Sequence, residues 1–190
     1  MTPMSLQAPG AIGQDLEQSL IDRAKAGDRF AYESLLEPAV RPATRLAFAM
    51  LQDRSDAEDA FQESALRAWR RLGNLKSGRP FQAWFLGIVA NQCREIRRGR
   101  WRQLIRLPDL VPARSLEESA WFEGEDLRRA MSALPHDQRV AILLHFHLDL
   151  PLNDVALALG ISPAGARTRI KRALRRLRPA VAVSEATANG

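Results

Sequence analysis

Three groups of side chains in this sequence have the types and spacing to act by binding. The first is a basic run near the C-terminus, Arg167, Arg169, Lys171, Arg172, Arg175, Arg176 and Arg178, with no acidic residue among them. Just upstream, Leu159-Gly160-Ile161-Ser162-Pro163 reads as a tight turn into a helix start. Gly160 can take the positive φ that closes one helix. Ser162 can cap the next with its hydroxyl, and Pro163 suits the first helical position. A short helix, a glycine turn and an arginine-rich second helix form a helix-turn-helix signature. On that second helix Ala166, Ile170, Ala173, Leu174 and Leu177 are expected to face the core. Arg167, Thr168, Lys171, Arg172 and Arg175 are left pointing outward. Arginine can fork onto guanine edges and lysine supplies charge against phosphate, so the helix is suited to a DNA groove. The plain alternative is a solvated basic helix in a bundle.

The second group is Asp56-Ala57-Glu58-Asp59-Ala60-Phe61-Gln62-Glu63. At helical spacing Asp59, Gln62 and Glu63 share one face, opposite the Phe61 and Trp69 stripe. Acidity at a helix start is ordinary, because the macrodipole favours it. In a basic protein, however, an acidic face cannot be the DNA-facing one and points to a protein partner. The third group is aromatic and basic. Phe81, Trp84 and Phe85 lead a helix, and Asn91, Arg94, Arg97, Arg98, Arg100 and Arg102 follow, with Trp101 interleaved and Glu95 the only acid. Basic residues that track a strand, with aromatics for stacking, are what single-stranded nucleic acid requires. The adjoining loop 73–79, with Asn74, Lys76 and Arg79, could hold an unstacked base beside them.

Catalytic chemistry finds no comparable constellation. His145 and His147 are two apart, so on a helix they point to different sides and cannot easily share a metal. No glycine-rich phosphate loop or GxSxG elbow is present. No metal, cofactor or enzymatic activity is expected. A metal-dependent hydrolase built on the histidines would be recognised by bound metal.

The elements that must position these groups are all helical. Leu16, Leu20, Ile21 and Ala24 form a first apolar stripe, ended by Gly27. Asp28 can cap a second helix running through Phe30, Leu35 and Leu36 to Leu51, which Pro38 and Pro42 should kink or split. A third starts near Ser55 and buries Ala57, Ala60, Phe61, Ser64, Ala65, Ala68, Trp69 and Leu72. A fourth, from Phe81, is expected to reach about Arg98. Residues 1–13 and 180–190 read as tails, and 100–119, with Pro108 and Pro112, as a linker. This gives an all-α chain with two small helical domains, 14–99 and 120–179, the second containing the helix-turn-helix. With 190 residues, a net charge of +6 and a pI near 10.6, the chain suits polyanionic partners. Cys93 is the only cysteine, which excludes an intrachain disulfide and fits a reducing compartment. It is expected to be a buried helix cysteine, with a redox role the competing reading. Without a signal peptide or a membrane-length apolar run, a soluble cytoplasmic protein is expected.

Taken together these residues resemble an extracytoplasmic-function (ECF) sigma factor, the small two-domain branch of bacterial sigma factors. The segment 56–72 resembles the family's second region, which binds core RNA polymerase. Residues 80–100 resemble the adjoining segment that engages and opens the minus-ten element, and 133–178 the fourth region, which reads the minus-thirty-five element. The resemblance assigns core polymerase contact to Asp56, Asp59, Gln62 and Glu63. It assigns minus-ten contact to Asn74, Lys76, Arg79, Trp84, Asn91, Arg94, Arg97 and Arg98. Minus-thirty-five contact falls to Ser162, Ala164, Arg167, Thr168, Arg169, Lys171 and Arg172. It also implies promoter DNA as a partner and an anti-sigma protein that occludes these surfaces. Two stretches depart from the family pattern: Leu152-Asn153-Asp154 replaces a usual Tyr-Glu-Glu, and Pro163-Ala164-Gly165-Ala166 a Val-Gly-Thr-Val type run. The alternative reading is a stand-alone helix-turn-helix regulator, which would bind a palindromic duplex tightly without polymerase.

Overall fold

The computed structural model describes residues 9–106 and 125–188, and among them every regular element is helical. In order these are α1 (Pro9–Lys25), α2 (Arg29–Leu51), α3 (Arg54–Arg71), a 3-10 turn (Leu72–Asn74), α4 (Phe81–Arg106), α5 (Glu125–Ala133), α6 (His136–Ile142), a π-turn (Leu143–His147), α7 (Leu152–Leu159) and α8 (Pro163–Ala188).

Local signals set the first helix boundaries. Gly27, at φ 99°, ends α1. Asp28 then caps α2, its side chain accepting from the Ala31 N–H at 3.1 Å. That bond, followed by the Arg23 guanidinium, holds the Asp28 carboxyl below its usual range. Gln52 closes α2 in the left-handed conformation at φ 55°, and Asp53 caps α3 through the Asp56 N–H at 2.9 Å.

Contrary to expectation, Pro38 and Pro42 neither split nor end α2, which is one helix. Each proline removes a bond to the carbonyl four residues earlier, on Ser34 and Pro38. Both of those residues are exposed, so water can take the place of the missing donors. Meanwhile Leu35, Ala39, Ala43 and Leu46 are buried one turn apart, and this stripe holds the helix against α3 and α4. Phe30 is 79% exposed because it lies on the opposite side of α2 from that stripe. Leu16 is likewise exposed, whereas Ile21 and Ala24 are buried as expected.

Aromatic packing joins α2, α3 and α4. Phe81 and Phe85 stack at 5.8 Å, Phe61 meets Phe85 edge-on at 6.0 Å, and Tyr32 lies 5.0 Å from Trp69. The Tyr32 hydroxyl donates to the Ala65 carbonyl at 2.6 Å, and burial pushes its phenol pKa up. The core continues through Met131, Val140, Leu143, Leu144, Val155, Ala166, Ile170, Ala173 and Leu177 of the C-terminal part. Leu174, expected in that core, is exposed instead. The two parts touch where α7 crosses α4. Gly87 is needed there, because a Cβ at this position would collide with the Ala158 carbonyl.

Three extents differ from expectation. Helix α4 runs past Arg98 to Arg106, so 100–106 is helix rather than linker. Helix α1 begins at Pro9, inside the expected tail, and α8 continues to Ala188 through the other. The rest of the expected linker up to Ser119, with Pro108 and Pro112, and the Ala120 domain start fall largely outside the described residues, as do the side chains of Trp101 and Arg102.

Cys93 is fully buried, and burial pushes its thiol up to about 12, so the reactive thiolate is suppressed. The native chain at mildly alkaline pH should react with a disulfide reagent only as fast as it unfolds, and at once in denaturant. Rapid native labelling would contradict this packing.

Candidate nucleic-acid interface

On α3, Asp59 and Gln62 are exposed and Glu63 is half-buried, so all three share one accessible face. Leu66, 54% exposed, extends the same face by one turn. Sequence reasoning passed over it, although its spacing from Gln62 and Glu63 was the available signal. Arg67 borders the face, donating to Glu63 at 2.8 Å and to Glu95 of α4 at 2.7 Å. Asp56 departs from the group. Its carboxylate pairs with Arg100 of α4, which also lies 3.6 Å from Asp53. Burial raises the Asp56 pKa against the pull of Arg100. The carboxylate is therefore committed to joining α3 and α4, which tells against a direct polymerase contact.

On α4, Trp84 is half-buried with its ring 5.9 Å from Phe81, while Asn91 and Arg98 are exposed. At about 100° per residue these three fall along one stripe. Arg94 flanks it. Arg97 does not, since it lies on a different side of the helix, half-buried, and burial lowers its pKa. Its assignment as a strand contact is not supported by that placement. The loop before α4 leaves Asn74, Lys76 and Arg79 exposed and buries only Leu75.

On α8, Ser162 accepts from the Gly165 N–H at 3.2 Å, fulfilling the expected cap. The turn before it is closed by Gly160 at φ 64°. Ala164, Arg167, Thr168, Lys171, Arg172, Arg175, Arg176 and Arg178 are exposed. The Thr168 hydroxyl donates to the Ala164 carbonyl at 2.9 Å, so it is turned back on its own helix. Arg169 is also turned from the outward set, donating to Asp137 at 2.9 Å.

The same carboxylate lies 3.8 Å from Arg94. Asp137, at the start of α6, thus sits between a residue assigned to the minus-ten strand and one assigned to the minus-thirty-five duplex. Asn91, Arg94, His136, Asp137, Leu159 and Arg169 line one cleft between α4, α6, α7 and α8. Burial first, then Arg94, lowers the His136 pKa to about 4. Its ring is neutral at pH 7 and adds no charge beside Arg94, Arg97 and Arg98. No sequence pattern marked Asp137, because its partners lie on helices far away in the chain.

Among the described residues no cluster of three or more His, Cys, Asp or Glu could hold a metal ion. His145 is engaged with the Leu150 carbonyl at 2.9 Å. Nor is any described helix long and apolar enough to cross a membrane.

The Sigma-70 region 2 profile matches residues 35–103, and the Sigma-70 region 4 profile matches 124–177. The chain is 35% identical over 164 residues to a probable RNA polymerase sigma factor, RfaY, of Xanthomonas campestris; the match covers 80% of this chain but only 41% of that protein. It is 30% identical over 154 residues to the ECF RNA polymerase sigma factor SigM of Mycobacterium tuberculosis, covering 80% of this chain and 78% of that one. The fold is similar to that of the sigma factor RpoE in complex with the anti-sigma factor NepR from Bartonella quintana, with a TM-score of 0.63, 22% identity and coverage of 80% and 97%. Two sigma profiles in order, with a 30% identical relative covered over most of its length, place the chain in a family: it belongs to the ECF sigma factors of bacterial RNA polymerase.

Proposed function

We propose that the chain directs core RNA polymerase to promoters by dividing three contacts among three helices. Asp59, Gln62 and Glu63, with Leu66 beside them, dock on core polymerase. Trp84, Asn91, Arg94 and Arg98, with Asn74, Lys76 and Arg79 of the preceding loop, take the minus-ten strand as it opens. Arg167, Lys171 and Arg172, at the α8 start formed by Ser162 and Ala164, bind the minus-thirty-five duplex, and Arg169 joins them once released from Asp137. The observation that carries this reading is the segregation of charge: an acidic, partly apolar face on α3 beside a basic, aromatic face on α4 in one packed unit. A stand-alone regulator accounts for α8 but leaves the α3 face without a use.

The work done is binding rather than covalent chemistry. Unstacking costs a few kcal/mol per base, and Trp84 with the loop is placed to offset it. The two DNA-binding units correspond to about 14–106 and 125–179, and tethering them raises the effective concentration of the second once the first is engaged. Such a factor acts in the cytoplasm, where polymerase and chromosome are. The neighbouring sigma factor RpoE is held by an anti-sigma factor, and a similar partner for this chain would cover the same faces. Reconstituted transcription of genomic fragments by core polymerase, with and without the chain, tests the reading. Promoter-specific initiation only with the chain is expected, and its absence under every condition would sink it.

Three variants test the division of labour. Asp59→Lys with Glu63→Lys should weaken core binding by about tenfold or more. Duplex binding should be unchanged, and equal loss of both would contradict the assignment. Asp137→Asn should release Arg169 and raise duplex affinity of the free chain by about two- to fivefold at low salt, in line with the modest worth of exposed pairs. Unchanged affinity would mean that Arg169 is not a DNA contact. For Arg172→Ala, a phosphate contact predicts a salt slope shallower by about one unit, whereas altered base preference at an unchanged slope would mean direct readout.

A further inference from the structure

Helix α1 lies outside the region 2 match, which begins at residue 35, so that match assigns it no part in promoter binding. Its buried stripe, Ile21 and Ala24, anchors it to the core. The polar side chains beside it make three contacts to the loop before α4 and one to the first residue of α4. Lys25 Nζ donates to the Leu75 carbonyl at 2.7 Å. Gln18 Oε1 accepts from the Gly78 N–H at 2.9 Å and from the Ser77 hydroxyl at 3.2 Å. Glu17 Oε1 accepts from the Phe81 N–H at 3.0 Å, which satisfies a first-turn donor of α4. The Gln18 amide is oriented by its own other end, since Nε2 donates to Asp22 at 2.9 Å.

The loop has little else to hold it. Asn74, Lys76, Ser77, Gly78 and Arg79 are exposed, and Leu75 alone reaches the core. Within its turn the Arg79 N–H donates to the Lys76 carbonyl at 3.2 Å. Gly78 sits at φ 72°, a conformation glycine enters and leaves without steric cost, so the residue itself does not stiffen the turn. A loop of this kind would ordinarily order when its ligand arrives, and that ordering would subtract from affinity.

We infer that helix α1 is a splint for the loop that captures the opened minus-ten strand, with Gln18 the positioning residue. The inference rests on the promoter-binding role proposed above. Gln18 acts through the backbone of Ser77 and Gly78 and the Ser77 hydroxyl, without touching DNA. It therefore sets where Lys76 and Arg79 stand while leaving base choice to the loop side chains. The splint matters most for the single strand, since duplex binding by α8 and docking by α3 use other surfaces.

The test uses the full chain assembled with core polymerase. The probe is a fluorescent single-stranded oligonucleotide with the non-template minus-ten sequence of a promoter that the wild-type chain selects. Gln18→Ala should weaken oligonucleotide binding by about tenfold, the cost of ordering the loop at the moment of binding. Core affinity, minus-thirty-five duplex affinity and the thermal unfolding midpoint should stay at wild-type values. Gln18→Glu keeps an acceptor for Gly78 and Ser77 but repels Asp22, so pairing it with Asp22→Asn should restore most of the lost binding. Amide exchange at Ser77 and Gly78 should quicken in Gln18→Ala and slow again in the double variant. Faster exchange with unchanged oligonucleotide binding would overturn the inference, as would equal losses in all three affinities or no rescue. Failure of the wild-type chain to bind the oligonucleotide or direct initiation would instead refute the promoter-binding role itself.

Discussion

Helix α4 has to satisfy three neighbours at once, and the rest of the molecule is arranged around that constraint. One stripe, Phe81, Phe85, Val89 and Cys93, is buried against α2 and α3. A second, Trp84, Asn91 and Arg98, is left accessible, and is the one proposed to meet nucleic acid. Between them Gly87 lets α7 approach until its backbone is in contact. Apolar burial of this kind, at about 25 cal/mol per Å², fixes the axis and rotation of α4. The rotation in turn decides which basic residues are available. Arg98 is exposed and Arg97 is half-buried, although they are adjacent in sequence. A change in the stacked Phe81 and Phe85 pair would therefore be felt at the face proposed to bind the strand, not only in stability.

Charge is organised with the same economy of contacts. The basic excess is placed on α4 and α8, while the carboxylates of α3 face elsewhere or, as with Asp56, tie down Arg100. Asp137 holds one arginine from each nucleic-acid-binding part. In this arrangement Arg94 and Arg169 are turned toward each other instead of outward. Binding of phosphate by either would exchange one anionic partner for another, so the interaction is a competition and not a simple addition. Neutral His136 keeps that locus from gaining another positive charge.

Much of this was legible in the sequence where signals are local. The Gly160 turn, the Ser162 cap and the inward Ala166, Ile170, Ala173 and Leu177 follow from short-range rules, as do the buried stripes of α3 and α4. What escaped was decided by tertiary packing. Pro38 and Pro42 have a strong local tendency to break a helix, but the stripe from Leu35 to Leu46 overrides it. Leu174 looks like a core residue and is exposed, because periodicity marks a face only when a neighbour covers it. Asp137, Gly87 and Gln18 acquire their roles from partners on other elements, and no spacing in the sequence brings those partners together. Arg97 was read with its basic neighbours as one cluster, and only the rotation of α4 separates it from them.

The central claim is that one chain presents a polymerase-docking face on α3 and DNA-binding faces on α4 and α8. Photocrosslinking in a promoter open complex tests it most directly, with a photoreactive residue placed in turn at position 62, 91 or 171. The account predicts that position 62 joins a core polymerase subunit. Position 91 should join the non-template minus-ten strand, and position 171 the minus-thirty-five duplex. Crosslinks from position 62 to DNA, or from position 91 to polymerase alone, would contradict it.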